Sequence, residues 1–210
     1  MGLFVTLEGG EGAGKSSQAL ALSERLQASG LPVVRTREPG GTALGERVRD
    51  IVLDVAGRGA PLEPLTEALL FAGARAQLVA EVIAPALARG DAVVCDRFAD
   101  STVAYQGYGR GVDLDAIAKL NEVATAGVRP DLTVLLDLPV AEGLARTDGE
   151  QADRFEREHS EFHERVRDGY RRLAEREPER WLVVDASEPV EAVTDAIWAR
   201  LAPLLDTRRS

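Results

Sequence analysis

A single cysteine, Cys95, stands in 210 residues, which excludes an internal disulfide framework and fits a reducing compartment. It lies in an apolar stretch and reads as core. Basic charge is also short: 25 lysines and arginines face 35 acidic residues, a net charge of −10 that repels a nucleic-acid backbone or an anionic membrane surface. Neither is an expected partner, and any phosphate-bearing ligand must be drawn in by local arginines. No basic-then-apolar signal pattern opens the chain, and no apolar run approaches the roughly 20 residues that cross a bilayer. The expectation is a soluble, cytoplasmic protein. Internal repeats, low-complexity segments and any break marking a second domain are missing too. With 45% apolar residues the chain can bury one sizeable core, so a single domain over 1–210 is expected.

What is present begins with short β-type runs at 3–7, 32–36, 92–95, 132–136 and 181–184. Several are apolar throughout, as in strands of a parallel sheet covered on both faces. Between them lie helical patterns at 17–29, 43–53, 64–89 (kinked before Pro85), 114–126, 139–146, 155–176 and 190–205. The class is therefore α/β. Pro64 and Pro139 suit first-turn positions, Gly30, Gly90 and Gly127 read as stop signals, and the tail from Thr207 is expected to fray.

Directly after the first apolar run come Gly9, Gly10, Glu11, Gly12, Ala13, Gly14, Lys15 and Ser16, which fit G-x-x-x-x-G-K-[ST]. Glycines at this spacing let successive backbone N–H groups turn inward around a polyphosphate. Lys15 would bridge the outer phosphates, Ser16 would ligate Mg²⁺, and the helix that follows directs its N-terminal dipole at the anion. A glycine-rich turn alone has many structural uses, but the Lys-Ser pair has no structural task there.

In a doubly wound sheet, loops at the carboxyl ends of strands line the ligand crevice. Four strands end in polar clusters: the phosphate loop, the segment from Arg37 to Thr42, Asp96 with Arg97, and Asp137. Asp96 is the expected second holder of a hydrated Mg²⁺; Asp137 competes on the same logic, and a helix cap or surface ion pair is the plainer alternative. Arg37 and Arg97, planar forks matched to phosphate oxygens, suggest a phosphorylated acceptor. Phe71 and Arg75 share one helical face, though spacing alone favours a core role for Phe71. Ser101, Tyr105 and Gln106, followed by the glycine-rich stretch 107–111, read as a tight turn near a ligand.

Together these blocks resemble the thymidylate kinases, especially the bacterial type. The matching segments run from Leu7 to Ser17, from Thr36 to Thr42, through Leu70, Phe71, Ala72 and Arg75, from Asp96 and Arg97 through Ser101 to Gly107, and from Pro130 to Thr133. The resemblance implies a P-loop NTPase-type three-layer fold, with a five-stranded parallel sheet flanked by helices. It implies a homodimer that phosphorylates dTMP with ATP and Mg²⁺. The segment from Gly9 to Ser17 would bind ATP. Phe71 would stack on thymine and Arg75 hydrogen-bond its edge. Arg37 and Arg97 would hold the dTMP phosphate, and Tyr105 would lie under the sugar. Ser101 and Gln106 would contact the base, and Glu11 would face the deoxyribose. Lys15, Asp96 and Arg97 would serve the transfer itself, with Ser16 and Asp96 at the metal.

The chain departs from that pattern in its lid, about 146–155. Bacterial members with glycine after the loop acid, as at Gly12, carry a lid dense in arginine, whereas here only Arg146 and Arg154 remain. One of them is expected to supply the catalytic charge, with Arg157 or Arg165 next in line. Other reactions are poorly served. No Asn-Lys-x-Asp stretch exists to read guanine, and neither Asp96 nor Asp137 is followed by an acid that would activate water. A kinase for another small acceptor stays open on the residues alone.

Overall fold

Each of the five expected strands forms, and each ends one residue later than the β-type run in the sequence. In the computed structural model, which describes residues 2–53, 62–147 and 153–209, they are β1 (Leu3–Glu8), β2 (Val33–Arg37), β3 (Ala92–Asp96), β4 (Leu132–Asp137) and β5 (Trp181–Asp185). The added residue is polar in every case. Its backbone completes the ladder while its side chain leaves the apolar layer, so hydrophobic periodicity stops one position short.

All pairings are parallel, in the order β2-β3-β1-β4-β5. The register sets Asp96 beside both Leu7 and Arg37, so the ends of the central strands open onto one crevice. On one face Leu3, Val5 and Leu7 pack with Leu22 and Leu26 of α1 (Lys15–Ala28) and with Ile197 and Leu201 of α9 (Val190–Arg209). On the other, Phe4, Val93 and Cys95 pack with Leu78, Ile83 and Phe98. Helix, sheet and helix make three layers, as the resemblance implied.

The remaining helices are α2 (Ala43–Leu53), α3 (Pro64–Leu78), α4 (Ala84–Arg89), α5 (Ala99–Thr102), α6 (Leu114–Thr125), α7 (Val140–Thr147) and α8 (Ser160–Arg176). The expected break before Pro85 takes the form of a π turn, Val79–Ile83, between α3 and α4. Proline lacks an N–H and its ring crowds the carbonyl four residues back, which a wider turn accommodates. Pro64–Arg89 contains an 18-residue window with a mean hydropathy of 1.4, enough by length and composition alone to cross a bilayer, but Glu67, Arg75 and Glu81 interrupt its apolar residues. Its Leu78, Val79 and Ile83 pack against the sheet.

Two further expectations change. The stretch read as a tight turn is helical, α5 followed by a second π segment, Val103–Gly109; its two glycines are there for packing, since a Cβ on Gly107 would lie 2.6 Å from the Leu114 side chain and one on Gly109 2.7 Å from the Phe162 ring. The helix expected from 155 begins at Ser160 because the Asp153 carboxylate caps a preceding turn, accepting from the N–H groups of Phe155 at 2.8 Å and Glu156 at 3.0 Å. At the other end α9 runs to Arg209. Residues 148–152 of the expected lid lie outside the described residues.

Candidate active site

Between β1 and α1 the chain turns through Gly9 at φ 142°, Gly12 at φ 66° and Gly14 at φ 83°, conformations that side chains disfavour. Close approach adds a second constraint at Gly12, where a Cβ would fall 2.1 Å from the Gly143 carbonyl oxygen. The buried Lys15 Nζ donates to the Gly10 carbonyl at 2.6 Å. Burial, and then the Arg97 charge, push its amine below the ordinary lysine value. One residue on, Ser16 Oγ donates to Asp96 Oδ2 at 2.7 Å, bringing the two expected metal-side oxygens together. Asp137, the competing strand-end acid, is held by Arg167 at 2.8 Å and Arg171 at 2.7 Å.

Arg97 adopts φ 69°, a left-handed conformation uncommon outside glycine. That turn aims its guanidinium back over the loop: NH1 donates to the Gly9 carbonyl at 3.0 Å, and NH2 to Glu11 Oε1 at 2.8 Å and the Tyr105 hydroxyl at 2.9 Å. Tyr105 donates in turn to Glu11 at 2.6 Å. Burial would raise the Glu11 carboxyl, but the Arg97 and Lys15 charges outweigh it and hold the group at about 2. Behind this layer Glu8, fully buried, accepts from Phe98 N–H at 2.8 Å, Ser101 Oγ at 2.6 Å and Tyr170 OH at 2.9 Å. Burial, with the nearby Asp100 charge, raises Glu8 to about 7.

Two cavities meet here. One lies over the phosphate loop, bounded by Lys15, Ser16, Ser17, Arg37, Asp96 and Arg97. The other is bounded by Glu11, Phe71, Arg75, Ser101, Tyr105 and Gln106. Arg97, Glu11 and Arg49 line both. The half-exposed Arg37 pairs with Glu46 at 3.1 Å. Arg75 is 1% exposed; it donates to Glu38 and Asn121 at 2.8 Å each, to Thr102 at 2.9 Å and to the Phe98 carbonyl at 3.2 Å. Its Nη2 also lies 2.7 Å from Glu38 Oε2, making the ion pair two-pronged. Gln106 donates to Glu67 at 2.6 Å.

The two lid arginines part company. Arg146, on α7, donates to the carbonyls of Ala186 at 3.2 Å and Gly12 at 3.4 Å, beside the phosphate loop. Arg154 instead pairs with Glu67 and donates to the Val52 carbonyl at 2.9 Å. Arg165 is turned to the Gly109 carbonyl at 3.1 Å. Sequence reasoning missed Arg49, Glu8, Tyr170 and Phe155, which also lines the second cavity. Only Glu8 left a trace, as an acid closing an apolar strand.

The thymidylate kinase family model matches residues 7–197. A thymidylate kinase of Synechococcus sp. (strain JA-3-3Ab) is 52% identical over 203 residues, covering 97% of each chain. The chain belongs to the thymidylate kinase family. A thymidylate kinase of Deinococcus radiodurans is also 52% identical, over 96% of this chain and 97% of its own. Among solved structures, the thymidylate kinase from Ehrlichia chaffeensis superposes with a TM-score of 0.72 at 37% identity, covering 87% of this chain and 92% of that one. The likeness to thymidylate kinases thus extends through the helices that wall the second cavity.

Proposed function

We propose that this chain transfers the γ-phosphoryl group of ATP to dTMP, giving ADP and dTDP, on one domain spanning 1–210. The observation that carries the reading is the junction of the two cavities at Arg97, which touches the phosphate loop through Gly9 and the sugar side through Tyr105. Gly9 to Ser17 take the ATP phosphates. Phe71 and Arg75 take the thymine, helped by Ser101 and Gln106. Arg37 and Arg97 hold the acceptor phosphate, joined by Arg49, and Glu11 and Tyr105 border the deoxyribose.

An acceptor oxygen of dTMP attacks the γ-phosphorus as its bond to the bridging oxygen of ADP breaks. The protein supplies alignment and charge and no covalent intermediate. Lys15 neutralises charge on the moving group, and Arg146 closes on it from α7. The oxygens of Ser16 and Asp96 suit magnesium, a hard cation that keeps several waters and takes few protein ligands. When bound, that ion supplies charge neutralisation at the donor phosphates. Exposed apolar side chains on three helices, Ile51 of α2, Leu65 and Leu69 of α3 and Val123 of α6, support a homodimer, and the buried free thiol of Cys95 suits the cytoplasm.

ADP release from Mg-ATP, followed with dTMP, dUMP, dCMP, dGMP or no acceptor, tests the reading. Strongest stimulation by dTMP is expected; acceptor-independent hydrolysis would refute it. For the lid, Arg146→Ala should lower kcat more than about tenfold, about 1.4 kcal/mol of barrier, with little change in KM for dTMP. A smaller loss would remove Arg146 from the transfer step.

A further inference from the structure

Gln106 lines the base-side cavity but is not free to present either end of its amide. Its Nε2 donates at 2.6 Å to Oε1 of Glu67, a residue of α3 with 0% exposure that lies behind the cavity wall. Glu67 is held by two guanidinium groups: Arg154 pairs with Oε2, and Arg110 Nε approaches Oε1 at 3.5 Å. A carboxylate facing two guanidinium groups offers lone pairs and no proton, so the only amide atom that can satisfy it is the nitrogen. Turning Gln106 over would set two oxygens against each other in a buried place, leaving both acceptors unmet. Among the described residues, no protein donor is bonded to Gln106 Oε1. That oxygen is the atom left for whatever fills the cavity.

We propose that Glu67 is a positioning residue for base selection: by holding the Gln106 amide nitrogen, it turns the carbonyl oxygen to the ligand and makes the site demand a base with a ring N–H. Thymine has such a donor at N3, whereas cytosine has a lone pair there. The proposal rests on the dTMP kinase reading above. It gives the buried charge of Glu67 a role beyond tying α3 to Arg154, because an unpaired acceptor in a closed pocket rejects a ligand that cannot donate to it.

The test compares kcat/KM for dTMP with that for its 3-deaza analogue, which has C–H in place of N3–H and keeps an oxygen at both C2 and C4, the latter as an enol or its anion. The full-length wild-type protein should prefer dTMP by about tenfold or more. In Glu67→Gln the neighbouring amide can accept or donate, Gln106 can turn over, and the preference should fall to within about threefold. Gln106→Met should produce the same fall. Should Glu67→Gln fail to fold, Glu67→Asp keeps the charge for both arginines but withdraws the oxygen from Gln106, with the same expected fall. A wild-type ratio near one would overturn the proposal. So would a preference lost in Gln106→Met but intact in the Glu67 variants, which would leave Glu67 as a structural tie only. If the wild-type protein shows no dTMP-dependent ADP release at all, it is the kinase reading itself that fails, and the base-selection proposal falls with it.

Discussion

Arg97→Ala is expected to lower kcat/KM for dTMP by about 1,000-fold, about 4 kcal/mol of transition-state stabilisation. The residue holds a left-handed backbone conformation that costs a non-glycine side chain about 1–3 kcal/mol, and the guanidinium contacts it gains explain why it persists there. Those contacts reach the Gly9 carbonyl, Glu11 and the Tyr105 hydroxyl, and the guanidinium carbon lies 4.8 Å from the Tyr105 ring centre. Removal takes the cation from the meeting point of the two cavities and leaves Glu11 without the largest of the charges holding its carboxyl at about 2. Steady-state kinetics should show the loss falling on dTMP, with the KM for ATP changed only a few-fold. Arg97→Gly separates charge from backbone, because glycine adopts the same φ without strain. It should be as inactive as Arg97→Ala while melting at a higher temperature. Recovery of activity in the glycine variant would assign the loss to backbone strain, and a loss under tenfold in both would remove Arg97 from the acceptor site.

The contrast between Arg97 and Arg154 shows how far the sequence could be read. Arg97 was legible because it follows an apolar strand, and in a parallel sheet the strand ends converge whatever the details of packing. Phosphate-loop residues were legible for a related reason, since their roles depend on local spacing alone. Arg154 lies in a segment poor in arginine, and its ion-pair partner Glu67 is 87 residues away, a contact of a range that no local pattern reports. Glu8, Arg49 and Tyr170 were missed on the same ground. The π segment Val103–Gly109 was hidden by its glycines, which resemble turn residues until the Phe162 ring packed against Gly109 explains them. Positions marked by a strand end or a local motif could be read; partners brought in by long-range packing, such as Tyr170 of α8 against Glu8, could not.

Lys15→Met should lower kcat about 1,000-fold or more and leave dTMP binding nearly unchanged. In this structure the ammonium rests on the Gly10 carbonyl at 2.6 Å, and burial and the Arg97 charge both weigh against its proton, opposed by Glu11, Asp96 and Glu8. A polyphosphate entering the loop would add several negative charges beside the amine and favour the protonated form. The charge is therefore most strongly held when the donor is bound, and negative charge on the transferring group is what it then meets. Methionine preserves the length and apolar stem of the side chain, so the loop should still fold and melting temperature should change little. Single-turnover phosphoryl transfer isolates the chemical step, and dTMP binding measured by calorimetry checks the acceptor cavity. A loss confined to dTMP affinity would move Lys15 from the donor side to the acceptor side. A kcat within tenfold of wild type would mean that Arg97, Arg146 and the metal carry the neutralisation without it.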